Sequence, residues 1–177
     1  MKIEQMIAKS SVAGGRIASK GLGKITSGSS ENDFVQDGLV ARIVEASNKG
    51  YYDKNMSENA VFVIMEVCTV KDGKVTPTGE AVQVYLSMFD RIAAPYTIDA
   101  EGDVVRDTTK DVVRAEGTAV ADWKAAANAE AFMVANKDRA LKFDLLETVQ
   151  VRAWDNSTKS FSTTRTREQK VYKINWL

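Results

Sequence analysis

Among its 177 residues the chain has no histidine, one cysteine and two prolines. Without histidine there is no side chain that ordinarily titrates near neutrality, no Ser-His or Cys-His nucleophile pair, and no imidazole to hold a metal. A single cysteine excludes an internal disulfide and a zinc site of the Cys/His type. Cys68 lies inside the apolar run 60–70, where a thiol usually packs as a small hydrophobe. No metal and no cofactor is therefore expected. Aromatic residues are few, at 8%, and the formal net charge is zero, so the chain as a whole has no strong attraction for a polyanion. Residues 1–8 lack the sustained apolar core of a signal peptide, and no run approaches the length of a membrane span. A reducing, intracellular setting with no membrane partner is the expectation.

What is present is ordinary in amount and uneven in placement. Hydrophobic residues at 44% and charged ones at 27% describe a globular chain long enough to bury a core as one domain. Residues 1–30 carry a net charge of +4, residues 31–149 carry −8, and residues 150–177 carry +4. A basic head and a basic tail around an acidic middle would focus an anion in one place and repel it elsewhere, although charge runs are mostly solvated surface. Residues 1–30 hold Arg16, Lys20 and Lys24 among glycines and serines, too little apolar area to order themselves. They read as a basic arm, laid on nucleic acid, on a neighbouring subunit, or simply a loosely held terminus. Gly21-Leu22-Gly23-Lys24 fails the phosphate-loop spacing, with Ile25 where a hydroxyl residue must stand.

From Phe34 the texture becomes β. Residues 39–46 (LVARIVEA) alternate as a first strand. The run 60–70 (AVFVIMEVCTV) is rich in branched residues and predicts a central strand covered on both faces. Asp72-Gly73 predicts a tight hairpin turn, and residues 81–89 (AVQVYLSMF) predict the returning strand, after an irregular stretch around Pro77 and Gly79. Residues 91–117 are a polar insertion with a small hairpin around Glu101-Gly102. Asp99, Glu101 and Asp103 alternate, but the glycine falls in the wrong place for a calcium loop and Lys110 stands where its closing glutamate belongs. Thr118 is placed to cap a helix over 119–135, with Val120, Trp123, Ala127 and Val134 on one side and Trp123 and Phe132 as packing residues. A strand from about Leu141 leads on to the last hairpin.

That hairpin, residues 149–177, is the stretch with most to say. Val149, Val151 and Ala153 alternate with Gln150, Arg152 and Trp154, so one face is apolar and the other pairs a cation with a large ring. After the polar turn at 155–159 the second arm contributes Phe161, Arg165, Arg167, Lys170 and Lys173. Cations interleaved with aromatics on an extended ribbon neutralise phosphates and stack bases; a solvated edge hairpin has the same composition.

Val151-Arg152-Ala153-Trp154, a polar turn, Phe161-Ser162-Thr163-Thr164 and Val171-Tyr172-Lys173-Ile174 together resemble the last two strands of the OB-fold single-stranded DNA-binding proteins of bacteria and phages. The resemblance covers about 30 residues by motif and about 140 by element order. It implies a mainly β domain over 31–177: a five-stranded antiparallel OB-like barrel with one helix between strands three and four, an insertion at about 91–117, and the N-terminal arm. It also implies that Arg152, Trp154 and Phe161 line the binding face, with Tyr51 and Tyr52 as further stacking residues. Where that family carries an acidic tail, Asn175-Trp176-Leu177 stand here.

The expected function is non-catalytic binding of single-stranded nucleic acid, with Arg152, Arg165, Arg167, Lys170 and Lys173 following the phosphates, in the cytoplasm of a bacterial host. The alternative is a β-rich assembly or virion component whose arm reaches a neighbouring copy in a homo-oligomer. An enzyme ranks third: pairs such as Asp107 and Asp111 exist, but nothing singles out a general base.

Overall fold

In a computed structural model the structure describes residues 35–44 and 62–177. The basic arm at 1–30 and the loop carrying Tyr51 and Tyr52 lie outside the described residues. The architecture is mainly β, built on one five-stranded antiparallel sheet. Its strands are β1 (Val40–Ile43), β2 (Phe62–Lys71), β3 (Lys74–Tyr85), β8 (Ala140–Asp155) and β9 (Ser160–Trp176), in the order β3-β2-β1-β8-β9. Between β3 and β8 the chain makes four short strands: β4 (Ile92–Ala93), β5 (Tyr96–Ile98), β6 (Val104–Arg106) and β7 (Val113–Arg114). β4 pairs with β7 and β5 with β6. Two helices follow, α1 (Thr118–Ala125) and α2 (Ala129–Ala135). β3 and β9 are the two edges of the sheet and are not paired with each other, so the sheet is open.

The meander forms where the sequence marks it. Lys71 pairs with Lys74 across a two-residue turn in which Asp72 (φ 51°) and Gly73 (φ 76°) both adopt positive φ, the conformation for which Asp-Gly is suited. β3 begins at Lys74, well before the expected residue 81. Pro77 and Gly79 sit inside it because the pairing slips between Glu66 and Cys68, and an edge strand with a bulge tolerates both residue types. Buried Glu66 secures that irregularity, accepting from Arg42 Nε at 2.6 Å with one carboxylate oxygen and from Gly79 N at 3.1 Å with the other. β2 is central, yet not covered along its whole length, since Val70 is 47% exposed near the hairpin tip. Cys68 is buried as expected, and burial pushes its thiol pKa up.

The second half of the expected third strand is not strand. Leu86–Phe89 turn into a short 3-10 helix that sends Leu86, Met88 and Phe89 all into the core. Phe89 is the hub of that core: its ring centre lies 5.6 Å from that of Phe132, 6.2 Å from Trp123 and 6.3 Å from Phe143. Trp123 and Phe132 meet edge to face at 5.3 Å, as packing residues. The single helix expected over 119–135 is two. The chain leaves helical geometry at Ala126 (φ −73°, ψ 146°), and Asn128 starts α2 by accepting from Ala131 N at 2.8 Å through its side chain. The break re-aims the second segment, so Phe132 and Met133 are buried while Ala127 and Val134 are exposed. The residue before α1 is Gly117, and Thr118 is its first helical residue rather than its cap.

Gly117 is fixed by both geometry and space. Its φ is 119°, and a Cβ there would stand 2.3 Å from Ile174 O on β9. The close approach exists because residues 116–118 run along the outer edge of β9. Ile174 N donates to Glu116 O at 2.8 Å, Thr118 N donates to Asn175 Oδ1 at 2.9 Å, and Trp176 N donates to Thr118 Oγ1 at 2.9 Å. Trp176 then stacks on Phe132 at 5.9 Å, has the Arg139 guanidinium carbon 4.1 Å from its ring centre, and donates from Nε1 to Asp122 Oδ2 at 2.8 Å. The far end of β9 is thereby held to the helices, and this fixes the strand whose near end carries the aromatic ribbon.

Candidate nucleic-acid interface

The β8–β9 ribbon alternates as the sequence requires: Val149, Val151 and Ala153 are buried, while Gln150, Arg152 and Trp154 are exposed. Residues directly opposite in an antiparallel pair point to the same side. Trp154 faces Phe161, and the two rings pack edge to face at 5.2 Å, yet they remain 48% and 51% exposed. The two rings thus stand half in water on paired strands. Arg152 stands beside them with its guanidinium carbon 4.7 Å from the Phe161 ring centre and 4.9 Å from that of Tyr96. The result is a continuous row, Tyr96, Arg152, Phe161 and Trp154, on the outer side of the ribbon.

Tyr96 is the member that sequence reasoning missed. It belongs to β5, in the insertion, and 56 positions separate it from Arg152. The only local signal was an aromatic directly after Pro95, between Ile92 and Ile98. The β5–β6 hairpin is itself well specified: it turns at Glu101-Gly102 as expected, with Gly102 at φ 89° and Asp99 Oδ1 accepting from Glu101 N and Asp103 N. In effect the insertion brings a ring to the ribbon.

The expected phosphate-binding cations are not all brought to this row. Lys170 pairs with Thr148 and so shares the side of Gln150, Arg152 and Trp154. Arg165 lies in a wide irregularity of β9, where residues 162–165 stand opposite the single Ala153; Ser162 Oγ accepts from Thr164 N at 3.2 Å and from Arg165 N at 3.1 Å. Arg165 reaches Asp155 at 3.8 Å, and the Asp155 carboxyl is held below its ordinary value, first by the Ser157 hydroxyl and then by the Ser157 backbone N–H. Arg167 pairs with Val151 and therefore belongs to the opposite side. Burial lowers its pKa, and its charge adds to burial in bringing the buried Arg91 down to about 10, still cationic at neutral pH. Lys173 lies toward the far end of β9 and faces Glu116 at 3.8 Å.

The arrangement sets exposed rings beside a cation. Among the described residues no group of three or more His, Cys, Asp or Glu side chains is placed to hold a metal ion, and no helix is long and apolar enough to cross a membrane. A cavity of about 240 Å³ lies where α1 gives way to α2, lined by Asp90, Trp123, Lys124, Ala126, Ala127 and Asn128. It is smaller than the ~300 Å³ at which small-molecule sites begin, and it shares no residue with the ribbon. Comparison with family models, with curated proteins and with solved structures gives no match to this chain.

Proposed function

We propose that the chain is a non-catalytic binder of single-stranded nucleic acid that uses the outer side of the β8–β9 ribbon. The observation that carries this reading is the exposed row Tyr96, Arg152, Phe161 and Trp154, two of whose rings are about half open to water on paired strands. Every base has a π face, so such rings take successive bases with little regard to sequence, each stacked base contributing about 1–3 kcal/mol. Lys170 on the same side and Arg165 at the turn end supply charge for the phosphates that join those bases. The strand order also favours the reading. Bringing β3 against β9 would close the sheet as a five-stranded barrel, with the ribbon at its rim.

The test is titration of a fluorescently labelled thymine oligonucleotide with the full chain at low and moderate salt, together with intrinsic tryptophan emission. Saturable, salt-weakened binding is expected, with quenching that survives Trp123→Phe and disappears in Trp154→Ala. Absence of binding at low salt, or binding indifferent to salt, would reject the proposal.

A further inference from the structure

Arg152 sets this ribbon apart from a neutral stacking surface. Its guanidinium lies against both Tyr96 and Phe161, so ring contacts occupy its flat surface. Among the described residues no hydrogen bond or ion pair engages it. The neighbouring carboxylate at the turn, Asp155, is taken by Ser157 and Arg165. Arg152 is thus a cation held in place by rings, with its N–H groups, which lie in the guanidinium plane, left for a ligand. A side chain immobilised before binding loses little freedom on binding, which is the condition for discrimination and not merely attraction.

We infer that Arg152 selects guanine, so that the interface prefers single strands in which a guanine lies beside the bases stacked on Trp154 and Phe161. This rests on the single-strand reading above. The donors of Arg152 emerge within the row where bases would lie, beside Trp154 two positions along the same strand face. An in-plane partner there must present two acceptors on one edge. Guanine does so with O6 and N7, on the edge away from its sugar; cytosine does so only with O2 and N3, where O2 lies next to the sugar bond; adenine pairs an acceptor with a donor, and thymine offers its carbonyls singly. A phosphate also offers two oxygens, but Lys170 and Arg165 flank the row with no ring contact to hold them, free to follow a backbone, so they are the natural phosphate cations.

The experiment compares thymine oligonucleotides of about 12 nucleotides, long enough for a single site, that carry at one central position thymine, cytosine, adenine, guanine or 7-deazaguanine. The full wild-type chain and Arg152→Lys are titrated with each. The expected result is about tenfold tighter binding of the guanine strand than of the other natural bases, loss of that advantage with 7-deazaguanine, and a guanine-to-thymine affinity ratio that falls to about one in Arg152→Lys, whatever the variant's overall affinity. Because 7-deazaguanine tests the wild-type protein, the result does not depend on the variant folding. Equal affinity for all five strands, or cytosine bound as tightly as guanine, overturns the guanine inference and leaves the single-strand reading standing. Absence of binding to any strand removes both.

Discussion

Tyr172 donates its hydroxyl proton to Val35 O at 3.1 Å from a ring that is 1% exposed. Burial, with the charge of Asp37 adding to it, pushes its pKa from 10.0 up to about 12. A group whose pKa is raised by folding contributes stability in full below its unfolded value and loses it as pH rises through the folded one. Tyr172→Phe should therefore cost about 1 kcal/mol at pH 8, and the gap between variant and wild type should narrow as pH rises from 10 toward 12; urea midpoints of the two proteins at pH 8 and pH 11 measure this. A different separation applies to the ribbon. Replacing either Trp154 or Phe161 with alanine loses their edge-to-face pair and should cost about 0.5–1.5 kcal/mol of stability, while weakening single-strand binding by about 1–3 kcal/mol. Thermal melts and oligonucleotide titrations on the same samples show whether the two effects part. At this scale the sequence was a fair guide: Arg152, Trp154 and Phe161 are together because strand alternation and the turn dictate it. Tyr96 was illegible, because nothing local records that a hairpin 56 positions upstream of Arg152 will lie against it.

Among the elements, the junction between Gly117 and β9 is the most demanding. Gly117→Ala puts a Cβ against Ile174 O at a φ of 119°, and backbone cannot yield as a flexible side chain would. Destabilisation of about 3 kcal/mol is expected, read as a shift in the urea midpoint, where the exposed turn glycine Gly73 replaced by alanine should cost about 1 kcal/mol. The strands and their turns were legible because period-two alternation and Asp-Gly chemistry are local properties. The helical region was not. Its run of alanines has high helix propensity throughout, and that masked Asn128 as a second start; tertiary burial of Phe132 against Phe89 and Trp123 selected the break. Pro77 and Gly79 misled in the opposite direction. They read as strand breakers, and the bulge beside Glu66 accommodates them within β3.

Over the whole molecule the charge is zero, but the last 28 residues hold +4 and the first 30 another +4. Of the cations in the ribbon, Arg167 is turned to the other side, Arg152 and Lys170 share the outer side with Glu168, and Arg165 and Lys173 each lie 3.8 Å from a carboxylate, Asp155 and Glu116. With Lys170 and Arg165 neutralising about two phosphates at a factor of ~0.7 each, a plot of log affinity against log salt should have a slope of about −1.4, measured by repeating the titration across a salt series. A slope near −5 would mean that the ribbon side is not the whole electrostatic surface and that the N-terminal residues take part. Composition, strand count and the antiparallel plan could all be read before any coordinates. The open edge between β3 and β9 could not, because closure depends on sheet twist and on what fills the interior, and neither is a local property of sequence.

β1 has only four residues, yet it sits in the middle of the sheet, with Ala41 paired to Val67 on one side and to Leu141 on the other. The first pairing needs a chain that reaches the meander, while the second must wait until about four fifths of the protein has left the ribosome. During synthesis the rim of β1 therefore stays open while every other part of the meander is complete. A stalled chain ending before Ala140 would expose this rim to its neighbours, which makes late translation the period when aggregation most threatens this protein.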